Sequence, residues 1–469
     1  MEKTLKNHKI NLISKIIMII LIAVFAVFNI IYIIKVNGNI EPFGMSMLCE
    51  NLMPGEKQSI NLLIFLIFII ILSIVYLIIS LYEKDNKKIK KAFLFIITVS
   101  FLSGIILPNN STDVFYYMGV GRLDAKYDVD IYANNFDEIQ QEHLDDEIVA
   151  KSPEINHKFI YGVVWEKICK FIGSIPINSE LILLYIFKIL NIIVHMLNCF
   201  LIYKITKNKK LLYLYGLNPL VLFEGIINCH NDIYLILFML IAVYLKKKDK
   251  IGFATLSIAI GGMIKYTPII VLPYIIADKE WKYKIKYLLE FTIIFLAINL
   301  LITGDIIKIL SLLNQTQKYS NSIYIELILM KIPYNIITIF NLVGKLIFII
   351  IFLIAIFNKK GKEPQAYLYL LMIFLILAIT NFKAWYIMWL FGLITEVNKK
   401  DIGKIIALSL IAEISNFIYY YYGESYIYGG IYFIILILMF VIYLLVINFI
   451  EKNKLNRNIL LENTKTVIK

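Results

Sequence analysis

Four short polar clusters interrupt long apolar runs in this chain, and each carries side chains suited to acid–base or anion chemistry. The first is Ser111-Thr112-Asp113-Val114-Phe115-Tyr116-Tyr117, followed by Gly121-Arg122. A carboxylate at the edge of a hydrocarbon layer is costly unless it has a partner or a task. Desolvation raises its pKa and a nearby cation lowers it again. A carboxylate held in this way is suited to take a proton from a hydroxyl as general base. The bland alternative is a cap, with Ser111, Thr112 or Asp113 opening a helix at Val114; the two roles are compatible. The second cluster, Asn228-Cys229-His230-Asn231-Asp232, crowds hydrogen-bonding side chains into a short turn. Asn228 or Asn231 could cap a helix, but His230 with Asp232 beside it is more than a cap needs.

The third cluster is Lys265-Tyr266-Thr267-Pro268. A lysine here suits a phosphate headgroup as a compact point charge, and snorkelling to the membrane interface is the alternative. The fourth is Asn381-Phe382-Lys383-Ala384-Trp385-Tyr386, with Trp389 one turn on. Aromatic faces pack on sugars and prenyl chains, but they also form the belts that anchor helices at headgroup depth.

The elements that must position these clusters are membrane helices. Of 469 residues, 60% are hydrophobic, above the half usual in soluble domains. The excess is gathered into runs such as Ile16 to Ile34, Leu62 to Leu81, Leu181 to Tyr203 and Ile431 to Ile450. About 20 apolar residues match a hydrocarbon core of ~30 Å. Backbone groups in that layer must be satisfied within the segment, so the runs are expected to be helices. No sustained apolar–polar alternation suggests a barrel. The expected fold is all-α and polytopic, with about 11–14 transmembrane helices. It forms one membrane domain over 1–469: an N-terminal helix hairpin at 1–91, a core at 92–286 and C-terminal helices at 287–469. Met1 to Lys15 is basic and no small-residue cleavage site follows Ile34, so a retained first helix is expected.

A net charge of +13 would suggest nucleic acid in a soluble protein. Here the lysines lie in short clusters between apolar runs, and no basic groove with interleaved aromatics appears, so nucleic acid is not an expected partner. Lys84 to Lys91, Lys207 to Lys210, Lys246 to Lys250, Lys279 to Lys286, Lys359 to Lys362 and Lys399 to Lys404 all fall on one side of a fourteen-span arrangement. That side is read as cytoplasmic, with both termini there. The other side carries an acidic loop at 109–178. It ends in Phe159 to Ile172, whose Ile160, Val163, Val164, Ile168 and Phe171 recur at helical spacing, as in an amphipathic helix lying in the interface. A mixed loop near 304–335 and a tyrosine-rich insert at 419–428 lie on that side too. All four polar clusters open there. The four cysteines show no Cys-x-x-Cys or Cys/His ligand spacing; no metal site and no cofactor is expected.

Asp113-Val-Phe-Tyr-Tyr with Gly121-Arg122 resembles the outer-loop signature of GT-C glycosyltransferases, and more narrowly that of bacterial polyprenol-phosphate-mannose-dependent α-1,6-type mannosyltransferases. Tyr161-Gly162-Val163-Val164-Trp165, Asn218-Pro219-Leu220-Val221-Leu222, His230-Asn231-Asp232, Lys265-Tyr266-Thr267-Pro268 and Trp385-Tyr386 with Trp389 follow in the family's order, over roughly 92–391. Where that family often has proline, this chain has Ile131, Val163 and Ala384. The resemblance implies an inverting transferase that moves a hexose, mannose by analogy, from a polyprenyl-phosphate donor to a glycan or glycolipid acceptor on the extracytoplasmic face. It implies Asp113 as catalytic base and Lys265, His230 and Arg122 on the donor phosphate. Tyr117, Tyr161, Asn231, Asp232, Trp385 and Tyr386 would line the pocket, with membrane lipids around it.

Two other readings compete. A transporter or flippase of a lipid-linked saccharide favours repeated halves and charge at the bilayer midplane. The chain shows no repeated halves, and its candidate residues gather at one face. A scaffold without chemistry would not need Asp113.

Overall fold

The computed structural model describes residues 2–38, 40, 58–83, 89–108, 111–133, 136–153, 159–304, 322, 324, 327–328, 330–357, 363–422 and 434–445. The polar loop at 305–321, the tyrosine-rich insert beyond 422, the lysines at 84–88 and 359–362 and the basic tail lie outside them. The protein is an all-α polytopic membrane protein. Its regular elements are α1 (Glu2–Lys35), α2 (Gln58–Tyr82), α3 (Ile89–Ile105), α4 (Asp113–Tyr127), α5 (Phe136–Glu142), α6 (Glu147–Ala150), α7 (Val163–Gly173), α8 (Glu180–Thr206) and α9 (Lys209–Gly216). A π-helical segment (Val221–Ile227) leads to α10 (Asp232–Lys247) and α11 (Ile251–Gly262). A 3-10 turn (Thr267–Val271), α12 (Leu272–Ile276), α13 (Trp281–Thr303), α14 (Tyr334–Phe357) and α15 (Pro364–Leu377) follow. A 3-10 helix (Ala384–Leu393) and α16 (Lys399–Tyr422) complete the set.

Among the described residues four helices are long and apolar enough to cross a membrane, or five if a bent pair counts as one span; six shorter apolar helices accompany them. The long ones turn bare hydrocarbon outward: Ile16, Ile20 and Val27 on α1, Ile182, Ile189 and Ile193 on α8, Leu289, Ile293 and Leu301 on α13, and Ile339, Leu342 and Leu346 on α14 are all exposed. Stripes of that size are tolerated only against lipid or a partner. The bent pair is α9 and the π-helical segment, which meet at 58°. Pro219 sits in the bend and lacks the N–H that would carry α9 onward. Asn218 holds the corner, donating to Ser409 Oγ at 2.8 Å and accepting from the Val221 N–H at 3.4 Å.

The two ends of the bundle differ in chemistry. At one end lysines meet carboxylates: Lys15 and Lys209 on Glu83, both at 2.5 Å, and Lys247 on Glu396 at 2.9 Å. The opposite ends of the same helices carry the polar clusters. α10 runs from Asp232 to Lys247, and α11 returns from Ile251 towards Lys265.

The segment 113–173 folds over that second end, with α7 lying against α4. The buried face of α7 is Val163, Trp165, Cys169 and Ile172, whereas Phe171 is 72% exposed and Val164 and Ile168 are half-buried. Of the apolar stripe read from the sequence, Val163 is buried in the core, whereas Ile160 and Phe171 are exposed and Val164 and Ile168 lie between. Close approach depends on two glycines. A Cβ on Gly121 would strike the Cys169 carbonyl of α7, and one on Gly162 would strike the Met263 carbonyl. Around Gly162 the backbones pair directly, with Gly162 N–H on Ile264 O and Val164 N–H on Met263 O, both at 3.0 Å. That pairing sets Tyr161 beside Lys265, whose Nζ lies 5.2 Å from the tyrosine ring centroid.

Gly162→Ala should therefore push 161–164 off 263–265 and lower stability by about 1–3 kcal/mol, the usual cost of overpacking. Thermal unfolding in detergent should show a depressed midpoint; an unchanged midpoint would contradict the packing.

Candidate active site

Asp113 is the first residue of α4, and it does not cap that helix. Thr112 occupies the N-cap without a side-chain bond, and Ser111 Oγ takes the Asp113 N–H at 3.3 Å. The carboxylate turns inward instead. Its Oδ2 accepts from Tyr161 OH at 3.1 Å and Tyr117 OH at 3.2 Å, and it faces His230 Nδ1 at 3.2 Å. Tyr117 is held by Tyr161 and Trp165 packed edge-on to its ring, with centroids at 5.3 and 5.0 Å. Oδ1 accepts no hydrogen bond among the described residues, and the side chain keeps 16% exposure. One oxygen is thus anchored and the other is left open.

His230 reaches Asp113 because of the turn that precedes it. Cys229 adopts a left-handed φ of 59°, and the His230 N–H returns to Glu224 O at 2.9 Å. The ring is fully buried and stacks on Trp385 with centroids 3.8 Å apart. Its Nε2 faces Glu224 Oε2 at 3.1 Å. Both nitrogens are at ion-pair distance from a carboxylate but off the in-line hydrogen-bond direction. Burial alone would raise the Asp113 pKa; the charge of His230, then of Lys265 and Lys383, outweighs it and holds the carboxyl well below the usual range. Burial likewise opposes the charged imidazole, and Asp113 followed by Glu224 overcomes it, raising His230 to about 9.

Lys265 and Asp232 form the next layer. Lys265 Nζ sits 2.7 Å from Asp232 Oδ2, and Trp389 Nε1–H donates to Oδ1 of the same carboxylate at 2.6 Å. Tyr386 stacks on Trp389 at 4.5 Å and presents its ring to Lys265, 5.4 Å away. Lys383 lies 5.6 Å from the Trp385 ring centroid, contributes to the field on Asp113, and has no carboxylate partner among the described residues. The accessible rim consists of Asp113, Lys265, Lys383 and Tyr386, each part-exposed.

The structure brings Asp113, Tyr117, Tyr161, His230, Asp232, Lys265, Trp385 and Tyr386 into one cluster. Two candidates lie away from the accessible rim. Arg122 is nine residues along α4 from Asp113, about 13 Å at helical rise. It is buried, and its guanidinium donates to the Ile177 and Ile175 carbonyls beside Asp146. His230 is closed off from the rim, with both nitrogens facing carboxylates. Asn231 is also wholly buried, and its amide has no hydrogen-bond partner among the described residues.

Sequence reasoning missed Glu224, Asn416, Lys188 and the position of Lys383. Glu224 stands inside the apolar run 221–227, and an ionisable side chain within a span is itself a signal of function. Lys188, buried in α8, donates to the Ile106 and Ile227 carbonyls, both at 2.7 Å, and secures the end of the π-helical segment.

The helix-end cluster and the outer segment folded over it are features of a membrane-embedded GT-C glycosyltransferase. Residues 42–278 match the family model described as alpha-(1->6)-mannopyranosyltransferase, N-terminal domain, and the chain belongs to that family. Residues 181–389 also match glycosyltransferase family 87. No curated protein and no solved structure shows significant similarity to the chain. The protein is accordingly a glycosyltransferase.

Trp389→Phe keeps the ring but leaves Asp232 Oδ1 without its donor. A lost hydrogen bond to a charged group costs roughly 1.5–3 kcal/mol. Denaturation of the purified variant should show a loss of that order. Stability equal to wild type would mean that Asp232 does not depend on the indole.

Proposed function

We propose that this glycosyltransferase moves a hexose, mannose by family, from a polyprenyl-phosphate donor to a hydroxyl of a glycan or glycolipid, at the extracytoplasmic face. Asp113 is the base. The observation that carries the reading is the asymmetric carboxylate, with Oδ2 fixed by two phenols and an imidazole and Oδ1 open at a rim that carries two lysines.

In the reaction the acceptor oxygen attacks the anomeric carbon from the side opposite the lipid phosphate. The new C–O bond forms as the bond from C1 to the phosphate oxygen breaks, and that electron pair leaves with the polyprenyl phosphate. A single in-line displacement inverts the anomeric centre. The acceptor proton passes to Asp113 Oδ1. A strongly acidic carboxyl still serves, because the attacking hydroxyl becomes an oxonium, more acidic than any carboxylic acid, as the bond forms. Lys383 and Lys265 face the charge that grows on the leaving phosphate, and preorganised cations there lower the barrier without rearranging. Tyr386 and Tyr161 offer ring faces to the sugar or the first prenyl unit. The orientation drawn from lysine clustering supports an outward-facing site, because Lys207 to Lys210 and Lys246 to Lys250 lie at the opposite ends of the helices that carry the cluster. The transporter reading lacks comparable support, since the cluster sits at helix ends and centres on a half-open carboxylate.

Purified protein given radiolabelled polyprenyl-phosphate-mannose and a membrane glycolipid extract should transfer label. Asp113→Asn should reduce the rate by about 10²–10⁴-fold, the usual share of a general base. Full activity in a well-folded Asp113→Asn protein removes Asp113 from the role.

The pH profile follows from the charges. Asp113 is ionised throughout the neutral range because its pKa is depressed. His230 is raised, so it keeps its charge until about pH 9 and loses it above. Its loss leaves the carboxylates of Asp113, Glu224 and Asp232 facing only two cations, Lys265 and Lys383, beside an anionic donor. The rate should be level through neutrality and fall on the alkaline side, where initial rates across pH 6–10 would locate the limb.

A further inference from the structure

Glu224 is as deeply buried as any side chain in the protein, inside an apolar segment, and no motif drew attention to it. A carboxylate in that position is costly unless it is paired and hydrogen-bonded. It is both. Oε2 accepts from Asn228 Nδ2 at 2.9 Å and faces His230 Nε2 at 3.1 Å, while Oε1 accepts from Asn416 Nδ2 at 3.1 Å. Asn416 reaches in from α16, so three side chains converge on one carboxylate.

The π-helical turn that carries Glu224 is itself fixed. Lys188 takes its terminal carbonyls, and Asn191 Nδ2 takes Gly225 O at 2.7 Å. π-Helical turns inside membrane or core helices recur at functional sites, because they rotate one side chain out of the regular spiral. Here that side chain is Glu224, and it faces the ring nitrogen of His230 remote from Asp113.

We propose that Glu224 is a positioning residue for transfer: its clamped carboxylate fixes and charges the His230 ring, which in turn anchors Asp113. The proposal rests on the reading of Asp113 as base. The chemistry is that of an imidazole between two acceptors. A neutral ring has one N–H and serves one carboxylate; only the doubly protonated ring serves both. Asp113 on one side and Glu224 on the other therefore favour the imidazolium, and the stacked Trp385 prevents the ring from turning away. The other charged groups around the ring are Asp232 and Lys265 at and opposite the start of α10, Lys383 before the 3-10 helix, and Glu413 of α16 beyond Glu224. Neither carboxyl oxygen of Glu413 has a hydrogen-bond partner among the described residues.

The test compares pH–rate profiles of full-length protein with polyprenyl-phosphate-mannose as donor. In Glu224→Gln the ring keeps a single carboxylate. The alkaline limb should move to lower pH by at least about one unit, the effect expected of a neighbouring charge. For a limb moved by one unit from about pH 9, rates at pH 9 should fall about fivefold more than rates at pH 6, with the donor KM at pH 6 within about twofold of wild type. Glu224→Asp retains the charge and should keep the limb near its original position. Should Glu224→Gln fail to fold, Asn416→Ala removes one clamp and should move the limb the same way by less. An unmoved limb in the folded Gln or Ala variant, or an equal loss at every pH, overturns the proposal. Asp113→Asn run alongside separates the two claims. An inactive Asp113→Asn with an unshifted Glu224→Gln sinks only the role of Glu224, whereas an active Asp113→Asn sinks the base itself.

Discussion

The constraint on which the site depends is charge held out of water. Asp113, Glu224 and Asp232 are carboxylates at the end of an apolar helix bundle, and His230, Lys265 and Lys383 are the cations that answer them. Removing one partner from such a set leaves an uncompensated buried charge, which is more costly than the pair was stabilising. The array is therefore tied together as a unit. The imidazole sits between two carboxylates, the lysine lies on the third, and the indole of Trp389 closes the remaining oxygen. One acceptor atom, Asp113 Oδ1, is excepted from this saturation.

The fold around the array serves to keep it still. Tyr117 is packed edge-on against Tyr161 and Trp165, so the two phenol hydroxyls come to Asp113 in fixed directions. Gly162 lets the outer segment lie directly on Met263 and Ile264, which brings Tyr161 and Lys265 together although they are far apart in the chain. Pro219 and Lys188 define where the π-helical turn begins and ends. The lysine side chains at the rim, by contrast, stay part-exposed.

The helices were legible because lipid imposes a simple rule: an apolar run long enough must be helical. The runs Leu62 to Leu81 and Leu181 to Tyr203 appear as α2 and α8 within a few residues, and Ile16 to Ile34 lies inside α1, which begins earlier, at Glu2. The 58° bend at Pro219 was not read from the sequence. The polar clusters were legible as clusters, since Asp113, His230, Lys265 and Trp385 each interrupt hydrophobic sequence. Their partners were not. Glu224 went unread inside a span, and Arg122 was placed on the phosphate by resemblance to the family motif. Helical rise separates Asp113 from Arg122 along α4, whereas the turn at Cys229 folds Glu224 back onto His230.

By itself the sequence determined the solvent of this protein, the helical state of its apolar segments, the end of the bundle where polar chemistry gathers, and the family signature. These follow from local composition and spacing, which act through short-range hydration and backbone hydrogen bonding. Only the tertiary structure decided which carboxylate is open and which are saturated, that His230 is enclosed between two of them, and that Asn416 in α16 braces Glu224 in the π-helical turn. Such facts depend on the relative rotation and register of helices distant in the chain, and no local pattern encodes the direction in which a side chain points across a helix interface.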